Sequence, residues 1–422
     1  MRCYESAVQP APLTPAEALD RILAQARRLG PLRPVLVPLA DAAGRALAAP
    51  LRARAPLPAF ATSTMDGFAF RAGDVPRPGA RLRIAGTVAA GHPWPGTLRP
   101  GTCLRIFTGA LLPRGADNVE MQERVAVSGA EARFERGGEA GRFVRPAGSD
   151  VARGAVALPA GARLDPGAIG LAVALGFVRV PVARRPVVAI LATGDEVVPL
   201  GRRPGLGQIV ESNAHALAAA VREAGGEPRL LGIAPDRPAA LRRAIQRARP
   251  ADVLLTIGGV SVGERDLVRG ALADAGATID FWRVAMRPGK PLLFGRLSRT
   301  LVFGLPGNPA SALVGFELFA RPTLRALAGL PGSGRVVVRA RLDAPQEKPS
   351  ELAVYLRSRA ASRHGETWVV PLRTQVSGDL TSSADVGALA VLPAGRARFA
   401  RGARVDAILL GPVTEEERTE PS

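Results

Sequence analysis

An alternation of short apolar runs with longer amphipathic segments over residues 184–330 constrains this chain more than any other feature of its sequence. Strands are predicted at 187–192, 229–233, 252–257, 281–284 and 301–303, and helices at 213–224, 238–248, 266–275 and from 308 onward. Strands that alternate with helices form a mostly parallel sheet covered on both faces. Ligands of such sheets bind at the carboxyl ends of the strands. The loops at those ends are therefore the candidate site.

Two of these loops combine glycines with hydroxyl and carboxylate groups. The loop after the first strand contains Thr193, Gly194, Asp195 and Glu196, which suits phosphate and magnesium binding, although a polar turn with one capping aspartate explains it equally well. The loop after strand 252–257 runs over residues 258–266 and ends in two acids that a helix cap would also explain. It matches neither the Walker A spacing nor the dinucleotide fingerprint.

Two further loops contribute cations and another glycine turn. Arg287 and Lys290 flank a Pro-Gly turn, an arrangement suited to an oxyanion, and Lys290 is one of two lysines in the chain. In the loop at 304–312 we expect Asn308 to cap the next helix, with Pro309 at its first position. The four loops together indicate a phosphate-bearing ligand with a metal ion.

The remaining sequence predicts three further parts around this α/β region. The expected division is a discontinuous linker domain at 14–57 and 143–183, an inserted β domain at 58–142, the α/β domain at 184–330, a C-terminal β domain at 331–411, and tails at 1–13 and 412–422. Thr14, Pro15 and Glu17 predict a capped first helix. Residues 31–60 are rich in proline and are predicted to be extended connecting chain without regular structure.

Composition excludes several classes of protein. Two cysteines and three widely separated histidines, in 422 residues, fit neither a disulfide framework nor a zinc site. The net charge of +19 comes from arginines spread along the chain, and 4% aromatic residues are too few for a nucleic-acid stacking surface. No run is long and apolar enough to span a membrane, and the N-terminus does not resemble a signal peptide. We therefore expect a cytoplasmic protein that binds neither nucleic acid nor membrane.

Four motifs outside the α/β region complete a family pattern. They are Thr-Met-Asp-Gly-Phe-Ala at 64–69, Arg-Ile-Phe-Thr-Gly-Ala at 105–110, Gly-Ala-Asp at 115–117 and Arg-Pro-Ala-Gly-Ser-Asp at 145–150. With these motifs and the four loops, the chain resembles the molybdopterin molybdotransferase family (MoeA-like molybdenum insertases, related to the gephyrin E domain). The similarity extends from about residue 14 to 411.

The resemblance implies a multidomain α/β plus β architecture. Its central three-layer α/β molybdopterin-binding domain would have a mostly parallel sheet, flanked by the discontinuous linker domain with its β insertion and by the C-terminal β domain. It also implies a homodimer with a cleft shared between subunits. The implied reaction is that of a transferase: adenylylated molybdopterin and molybdate give molybdenum cofactor and AMP, with Mg2+. Further partners that it suggests are the molybdopterin adenylyltransferase and apo-molybdoenzymes.

The resemblance also assigns site residues. The implied catalytic residues are Asp66, Thr108, Asp150, Glu196, Asp236, Asp266 and Lys290, with Glu196 and Asp266 holding the metal. The implied molybdopterin contacts are Thr193, Gly194, Asp195, Gly258, Gly259, Ser261, Gly263, Pro288, Gly289, Gly307 and Asn308. The implied molybdate contacts are Ser261, Arg287, Lys290, Pro291, Ser311, Arg359 and Ser382.

Three other functions stay open at this point. A molybdopterin adenylyltransferase or a related nucleotide-cleaving hydrolase would need only the central domain. A cofactor carrier or scaffold would capture partners without the acidic and basic site residues. A nucleic-acid-binding protein would use the arginine excess. The preference between molybdate and tungstate is not predicted.

Overall fold

A computed structural model describes residues 11–259 and 267–415 of the chain. The described residues divide into two compact units. Unit 1 comprises residues 11–35, 44–48, 181–259 and 267–415, and unit 2 comprises residues 36–43 and 49–180. The four-part domain division predicted from the sequence stays a prediction.

The elements are numbered in chain order. The helices are α1 Pro15–Leu29, α2 Pro166–Ala174, α3 Asn213–Glu223, α4 Pro238–Arg247, α5 Leu267–Asp274, α6 Pro309–Gly315, α7 Arg321–Leu327 and α8 Thr381–Ala384. The strands are β1 Pro34–Pro38, β2 Leu51–Arg52, β3 Thr62–Ser63, β4 Gly67–Phe70, β5 Arg81–Val88, β6 Thr102–Ile106, β7 Asn118–Met121, β8 Val125–Ser128, β9 Glu131–Phe134, β10 Val144–Arg145, β11 Val156–Leu158, β12 Arg179–Ala183, β13 Val187–Thr193, β14 Val197–Val198, β15 Ile209–Val210, β16 Glu227–Ala234, β17 Val253–Ile257, β18 Thr278–Arg283, β19 Met286–Arg287, β20 Pro291–Leu297, β21 Thr300–Leu305, β22 Val337–Leu342, β23 Gln346–Glu347, β24 Ala353–Arg363, β25 Glu366–Pro371, β26 Ala388–Leu392, β27 Arg398–Phe399, β28 Arg404–Leu409 and β29 Thr414–Glu415.

The central sheet of unit 1 has the order β16-β13-β17-β21-β20-β18. The first four of these strands run parallel, as the βα alternation predicts, and β20 and β18 form an antiparallel edge. Helices α3 and α6 pack on one face through residues such as Leu217 and Val314. Helices α4 and α5 pack on the other face through residues such as Leu241 and Leu272. The predicted three-layer α/β architecture is therefore confirmed.

Helix α1 begins with the predicted capping box. The Glu17 backbone N–H donates to Thr14 Oγ1 at 3.3 Å, and the Thr14 N–H donates to Glu17 Oε2 at 2.8 Å. Two orphan donors at the helix start are thereby satisfied. The prediction of no regular structure over residues 31–60 is wrong in part, because β1 and β2 lie there. The prolines of β1 stand only at its two ends, where a strand tolerates them.

The C-terminal sheet of unit 1 closes on itself. Strands β24, β25, β22, β28 and β26 pair in that order, and β26 pairs back with β24. The short strand β19 extends this sheet by pairing with the start of β24. The C-terminal sheet is therefore joined directly to the segment between β18 and β20 of the central sheet.

Unit 2 is built on a sheet of order β7-β4-β6-β5-β9-β8. Phe70 and Phe134 form part of its core, with ring centroids 4.4 Å apart. Gly67 in β4 lies so close to β7 that a Cβ atom there would be 1.9 Å from the Glu120 carbonyl oxygen. Among the described residues, no helix has the length and apolar character needed to cross a membrane.

Candidate active site

Three carboxylates lie at the carboxyl ends of two neighbouring parallel strands. Strands β13 and β16 end side by side, with Thr193 paired to Ala234. Asp195 and Glu196 follow β13, and Asp236 follows β16. The Asp236 backbone N–H donates to Asp195 Oδ1 at 3.1 Å, which links the two loops. The structure thus brings together two of the predicted catalytic residues, Glu196 and Asp236, with Asp195 between them.

This carboxylate cluster changes the acidity of one member. Burial raises the pKa of Asp236, and the negative charges of Asp195 and Glu196 raise it further. The shift shows that negative charge accumulates at this edge of the sheet. A bound cation would relieve that repulsion.

Two glycines allow the loops after β13 and β17 to approach each other and the acids. Gly194 has φ +135°, and a Cβ atom there would overlap the Glu196 carboxylate at 2.5 Å. Gly258 has φ +86°, and its Cβ would lie 3.0 Å from the Thr193 carbonyl oxygen. The buried Thr193 hydroxyl donates to the Ile257 carbonyl at 3.1 Å. Thr193 therefore joins the two strand ends through its side chain.

The loop after β21 contacts a loop from the C-terminal sheet. Asn308 Nδ2 donates to Ser377 Oγ at 3.0 Å, and the Ala310 N–H donates to the Ser377 carbonyl at 3.1 Å. Asn308 occupies the predicted N-cap position of α6, with Pro309 first in the helix, but its side chain makes no capping hydrogen bond, because its amide donates to a distant serine instead. Gly307 accepts a hydrogen bond at 2.7 Å from the Asn213 side chain, and Ser311 is buried in the first turn of α6.

The basic turn, residues 286–291, runs from β19 to the first residue of β20. Arg287 is in β19, which pairs with β24, and Lys290 accepts a backbone hydrogen bond from Val284 at 3.0 Å. Both cationic side chains are exposed, and neither has a side-chain partner among the residues of the described ranges. Pro288 and Pro291 are half-buried and Gly289 is buried. The turn presents two cations that an anionic ligand could engage.

The structure separates the two predicted molybdate residues of the C-terminal sheet. Arg359 is exposed and forms an ion pair with Asp385, at 2.6 Å from its Nε. Ser382 is buried, and its hydroxyl accepts a hydrogen bond from Arg357 Nη1. Arg357 and Arg359 share the same parity along β24, so strand alternation could not distinguish them.

Arg357 is therefore the arginine beside Ser382, and sequence reasoning missed it. Arg357 is 2% exposed, and its Nη2 donates to the Val376 carbonyl at 2.8 Å. Burial lowers its pKa, an effect that the nearby Asp379 charge opposes. A buried guanidinium held by carbonyl groups fixes the loop at 374–382, which also supplies the Asn308 contact.

Unit 2 brings the first and second predicted motifs together. The Thr108 backbone N–H and its hydroxyl each donate to Asp66 Oδ1 at 2.8 Å. These bonds, the backbone one first, lower the pKa of Asp66, so this exposed side chain is a carboxylate at neutral pH. Asp150 instead forms an ion pair with Arg145, which lowers the pKa of Asp150. The structure thus pairs Asp66 with Thr108 and gives Asp150 a separate partner.

Some predicted residues cannot be placed. Ser261, Gly263 and Asp266 lie outside the described residues. Within the described ranges, no group of three or more acidic, histidine or cysteine side chains is arranged to hold a metal ion. Gly259 is described and follows β17 with φ +65°.

Comparison with known proteins identifies the family. Three family models match consecutive parts of the chain: "MoeA N-terminal region (domain I and II)" at 13–176, "Probable molybdopterin binding domain" at 189–326 and "MoeA C-terminal region (domain IV)" at 339–410. The molybdopterin molybdenumtransferase of Nostoc sp. is 38% identical over 380 residues, covering 87% of this chain and 86% of the relative. The enzyme of the same name from Bacillus subtilis is 33% identical and covers 89% of each chain. This chain belongs to the molybdopterin molybdenumtransferase family.

A solved structure extends the comparison to the fold. The crystal structure of the molybdopterin biosynthesis MoeA protein from Pyrococcus horikosii superimposes with a TM-score of 0.79 at 30% identity, covering 94% of this chain and 99% of that one. The resemblance drawn from the sequence motifs is thus confirmed. Like its relatives in the molybdenumtransferase family, the chain is a transferase by family membership.

Proposed function

We propose that this chain inserts molybdate into adenylylated molybdopterin, with release of AMP, to give molybdenum cofactor. Relatives that match nearly the whole chain are named molybdopterin molybdenumtransferase. The observation that carries the proposal is the juxtaposition of Asp195, Glu196 and Asp236 at the carboxyl ends of β13 and β16. Ligands of parallel α/β sheets bind at this edge.

The described side chains alone form no complete metal site, so we infer that one or two carboxylates of this cluster hold a magnesium ion together with substrate phosphates. Carboxylate oxygens are the ligands that Mg2+ prefers, and one or two of them with substrate phosphates usually suffice. Burial and then the negative charges of Asp195 and Glu196 raise the pKa of Asp236, which supports a cation at this position. Glu196 would hold the ion, with Asp195 and Asp236 beside it and with Asp266, as the resemblance implies. When bound, Mg2+ neutralises charge on the phosphoanhydride that is cleaved.

The basic turn and the buried arginine suit the molybdate substrate. Molybdate is a dianion, which cations and hydroxyl donors recognise. Arg287 and Lys290 offer two exposed cations, and Ser382 is oriented by Arg357. The dithiolene sulfurs that receive molybdenum belong to the substrate, so the reaction requires no cysteine of the protein. Cys103 is buried in unit 2, and burial raises the pKa of its thiol to about 12.

The Asp66–Thr108 pair supplies a second, separate acidic group. Its hydrogen bonds keep Asp66 charged and fixed in orientation. We propose that the chain acts as a cytoplasmic homodimer in which Asp66 of one subunit serves the reaction of its partner. Mixed dimers of Asp66→Ala and Asp236→Asn chains would then regain activity that neither homodimer has, and failure to regain it would contradict the shared site.

We also propose two kinds of protein partner. The molybdopterin adenylyltransferase would supply the substrate of this reaction, and apo-molybdoenzymes would accept its product.

The decisive experiment is single-turnover AMP release from adenylylated molybdopterin, with and without molybdate and Mg2+. We expect release that depends on both ions and collapses in Asp236→Asn, which removes one negative charge with little change in shape. Asp280→Asn, in the exposed Arg21–Asp280 pair, is the control that should leave release unchanged. Tight substrate binding without release in the unmodified chain would refute the transferase and indicate a cofactor carrier.

A further inference from the structure

The inserted sheet of unit 2 contains a cavity that the proposed reaction does not use. It has a volume of about 480 Å3 and is lined by β5, the start of β6 and the loop at 94–99. This volume lies within the range of roughly 300–1,000 Å3 typical of small-molecule sites. Thr102 in its wall stands at the opposite end of β6 from Thr108, about 20 Å away along the strand. The cavity is therefore distinct from the Asp66–Thr108 pair.

Two arginines give the cavity its charge. Arg83 and Arg99 both line it, both are exposed, and neither guanidinium has a partner among the residues that the structure describes. The neighbouring strand residue Arg81, by contrast, forms an ion pair with Glu131. Glu131, the cross-strand neighbour of Arg83, is thus engaged by Arg81, and Asp74 accepts a hydrogen bond at 3.0 Å from the Gly101 backbone N–H. Two unpaired guanidinium groups in one cavity favour an anion, and phosphate matches their fork of donors.

An indole completes the lining. Trp94 is half-buried and packs against Gly86, where a Cβ atom would lie 2.7 Å from the ring atom Cζ3. Glycine at this position therefore lets the ring approach the sheet closely. Leu98 anchors the other side of the loop: it is buried, and its N–H donates to the Arg114 carbonyl at 2.8 Å. The ring is thus held in place beside the two cations, which is how proteins stack a planar heterocycle.

The loop that bears Arg99 is also held in place. The Thr102 hydroxyl donates to the Arg99 carbonyl at 2.6 Å, and the Arg83 N–H donates to the Gly101 carbonyl at 3.2 Å. Both arginines are thereby fixed at the backbone while their side chains stay free to close on a ligand. Preorganised backbone of this kind lowers the entropic cost of binding.

We propose that this cavity binds a small phosphate monoester attached to a planar aromatic ring, of the chemical class of a nucleoside monophosphate. The phosphate would engage Arg83 and Arg99, and the ring would stack on Trp94. The limited volume and the presence of only two unpaired arginines in the lining favour a small ligand over a polyanionic chain.

The test uses the full-length chain with Trp282→Phe and Trp368→Phe, so that Trp94 is the one tryptophan left of three. AMP is titrated while Trp94 emission is recorded, with adenosine and ribose 5-phosphate as probes that lack the phosphate or the ring. We expect saturable quenching by AMP and at least about tenfold weaker binding of each fragment, since each loses one kind of contact. Arg83→Gln and Arg99→Gln should each weaken AMP binding by about tenfold.

Two controls separate this site from the proposed active site. Arg77→Gln, an exposed arginine outside the cavity, and Asp236→Asn, in unit 1, should both leave the quenching unchanged. The signal does not depend on AMP release, so it stands or falls apart from the transferase. Absence of saturable quenching, equal binding of AMP and adenosine, or indifference to both arginine substitutions would overturn the proposal. Tighter, salt-sensitive binding of a short oligonucleotide would overturn it in favour of a nucleic-acid surface.

Discussion

Asp252 joins the amino ends of the strands β13, β17 and β21 of the central sheet. Its replacement tests whether this end of the sheet contributes to stability but not to activity. Its two carboxylate oxygens accept hydrogen bonds from Arg184 Nη1 and Nη2, each at 2.7 Å, and Oδ2 also accepts the Val187 N–H at 2.8 Å. Its backbone bonds Val187 and Leu301, each at 2.9 Å. The Asp252 side chain is 14% exposed and that of Arg184 30%.

The expected cost of Asp252→Asn follows from this geometry. Breaking a buried ion pair costs about 3–5 kcal/mol because one charge stays behind unpaired. Asparagine keeps one acceptor oxygen, and Arg184 is exposed enough for water to recover part of its solvation, so we expect a loss of about 2 kcal/mol. In a double-mutant cycle with Arg184→Gln, the coupling should be about 1–2 kcal/mol.

Urea unfolding followed through Trp282, with the other two tryptophans replaced, measures the change in the sheet that contains it. Asp406→Asn, in the exposed Arg339–Asp406 pair with side chains 65% and 51% exposed, is the matched control and should cost under about 0.5 kcal/mol. AMP release should survive Asp252→Asn, because the seven-residue strand β13 places Asp195 about 20 Å from Asp252. A loss equal to that of the control, or no coupling to Arg184, would refute the reasoning.

Three other substitutions test separate parts of the structure. Asp236→Asn should remove a pH dependence of stability. The pKa of Asp236 in the folded chain lies above its ordinary value of 3.8, so the folded chain binds more protons at this site than the unfolded chain does. The contribution of Asp236 to stability therefore falls as the pH rises from the ordinary pKa through the raised one. The urea midpoint of the variant minus that of the unmodified chain should therefore increase from pH 3.5 to 6, and parallel curves would contradict the shift. Arg357→Gln should raise the KM for molybdate more than Arg359→Gln, since Arg357 orients Ser382; steady-state kinetics with equal effects would count against this assignment. Gly67→Ala should destabilise unit 2 by about 1–3 kcal/mol, because the new Cβ atom would lie 1.9 Å from the Glu120 carbonyl oxygen. Gly73→Ala, where the space is open, is the control. Equal urea midpoints of the two variants, followed through Trp94, would disprove the overlap.

The parts of the fold that could be predicted from the sequence are those that depend on a pattern within a few neighbouring residues. The four parallel strands of the central sheet are apolar runs bounded by glycine or proline, and the α1 capping box lies within four residues. Strand β20 was missed, because Pro291–Leu297 follows a Pro-Gly turn and contains an arginine and a glycine. Its antiparallel place between β21 and β18 depends on pairing that no local signal specifies.

The candidate site shows the same limit. The loop that contains Asp195 and Glu196 was found because strand ends and residue chemistry coincide there, whereas Asp236 was assigned through the family resemblance. The N-cap position of Asn308 was predicted, but not the hydrogen bond of its side chain to Ser377, which lies far away in sequence. The role of Arg357 beside Ser382 was missed, since only the packing of the loop at 374–382 shows it, and the assignment of Arg359 to molybdate stays a prediction. For Asn308 and Arg357, the side-chain position depends on hydrogen-bond partners that are distant in the sequence.

The pairing of β19 with β24 makes the basic turn a joint product of two modules. Arg287 hydrogen-bonds along the C-terminal sheet, and the Ala353 N–H donates to the Ala285 carbonyl at 3.1 Å. A central module excised on its own would lose this support for its two cations. A C-terminal module exchanged between relatives should therefore have to preserve the pairing with β19 if the two cations are to keep their places.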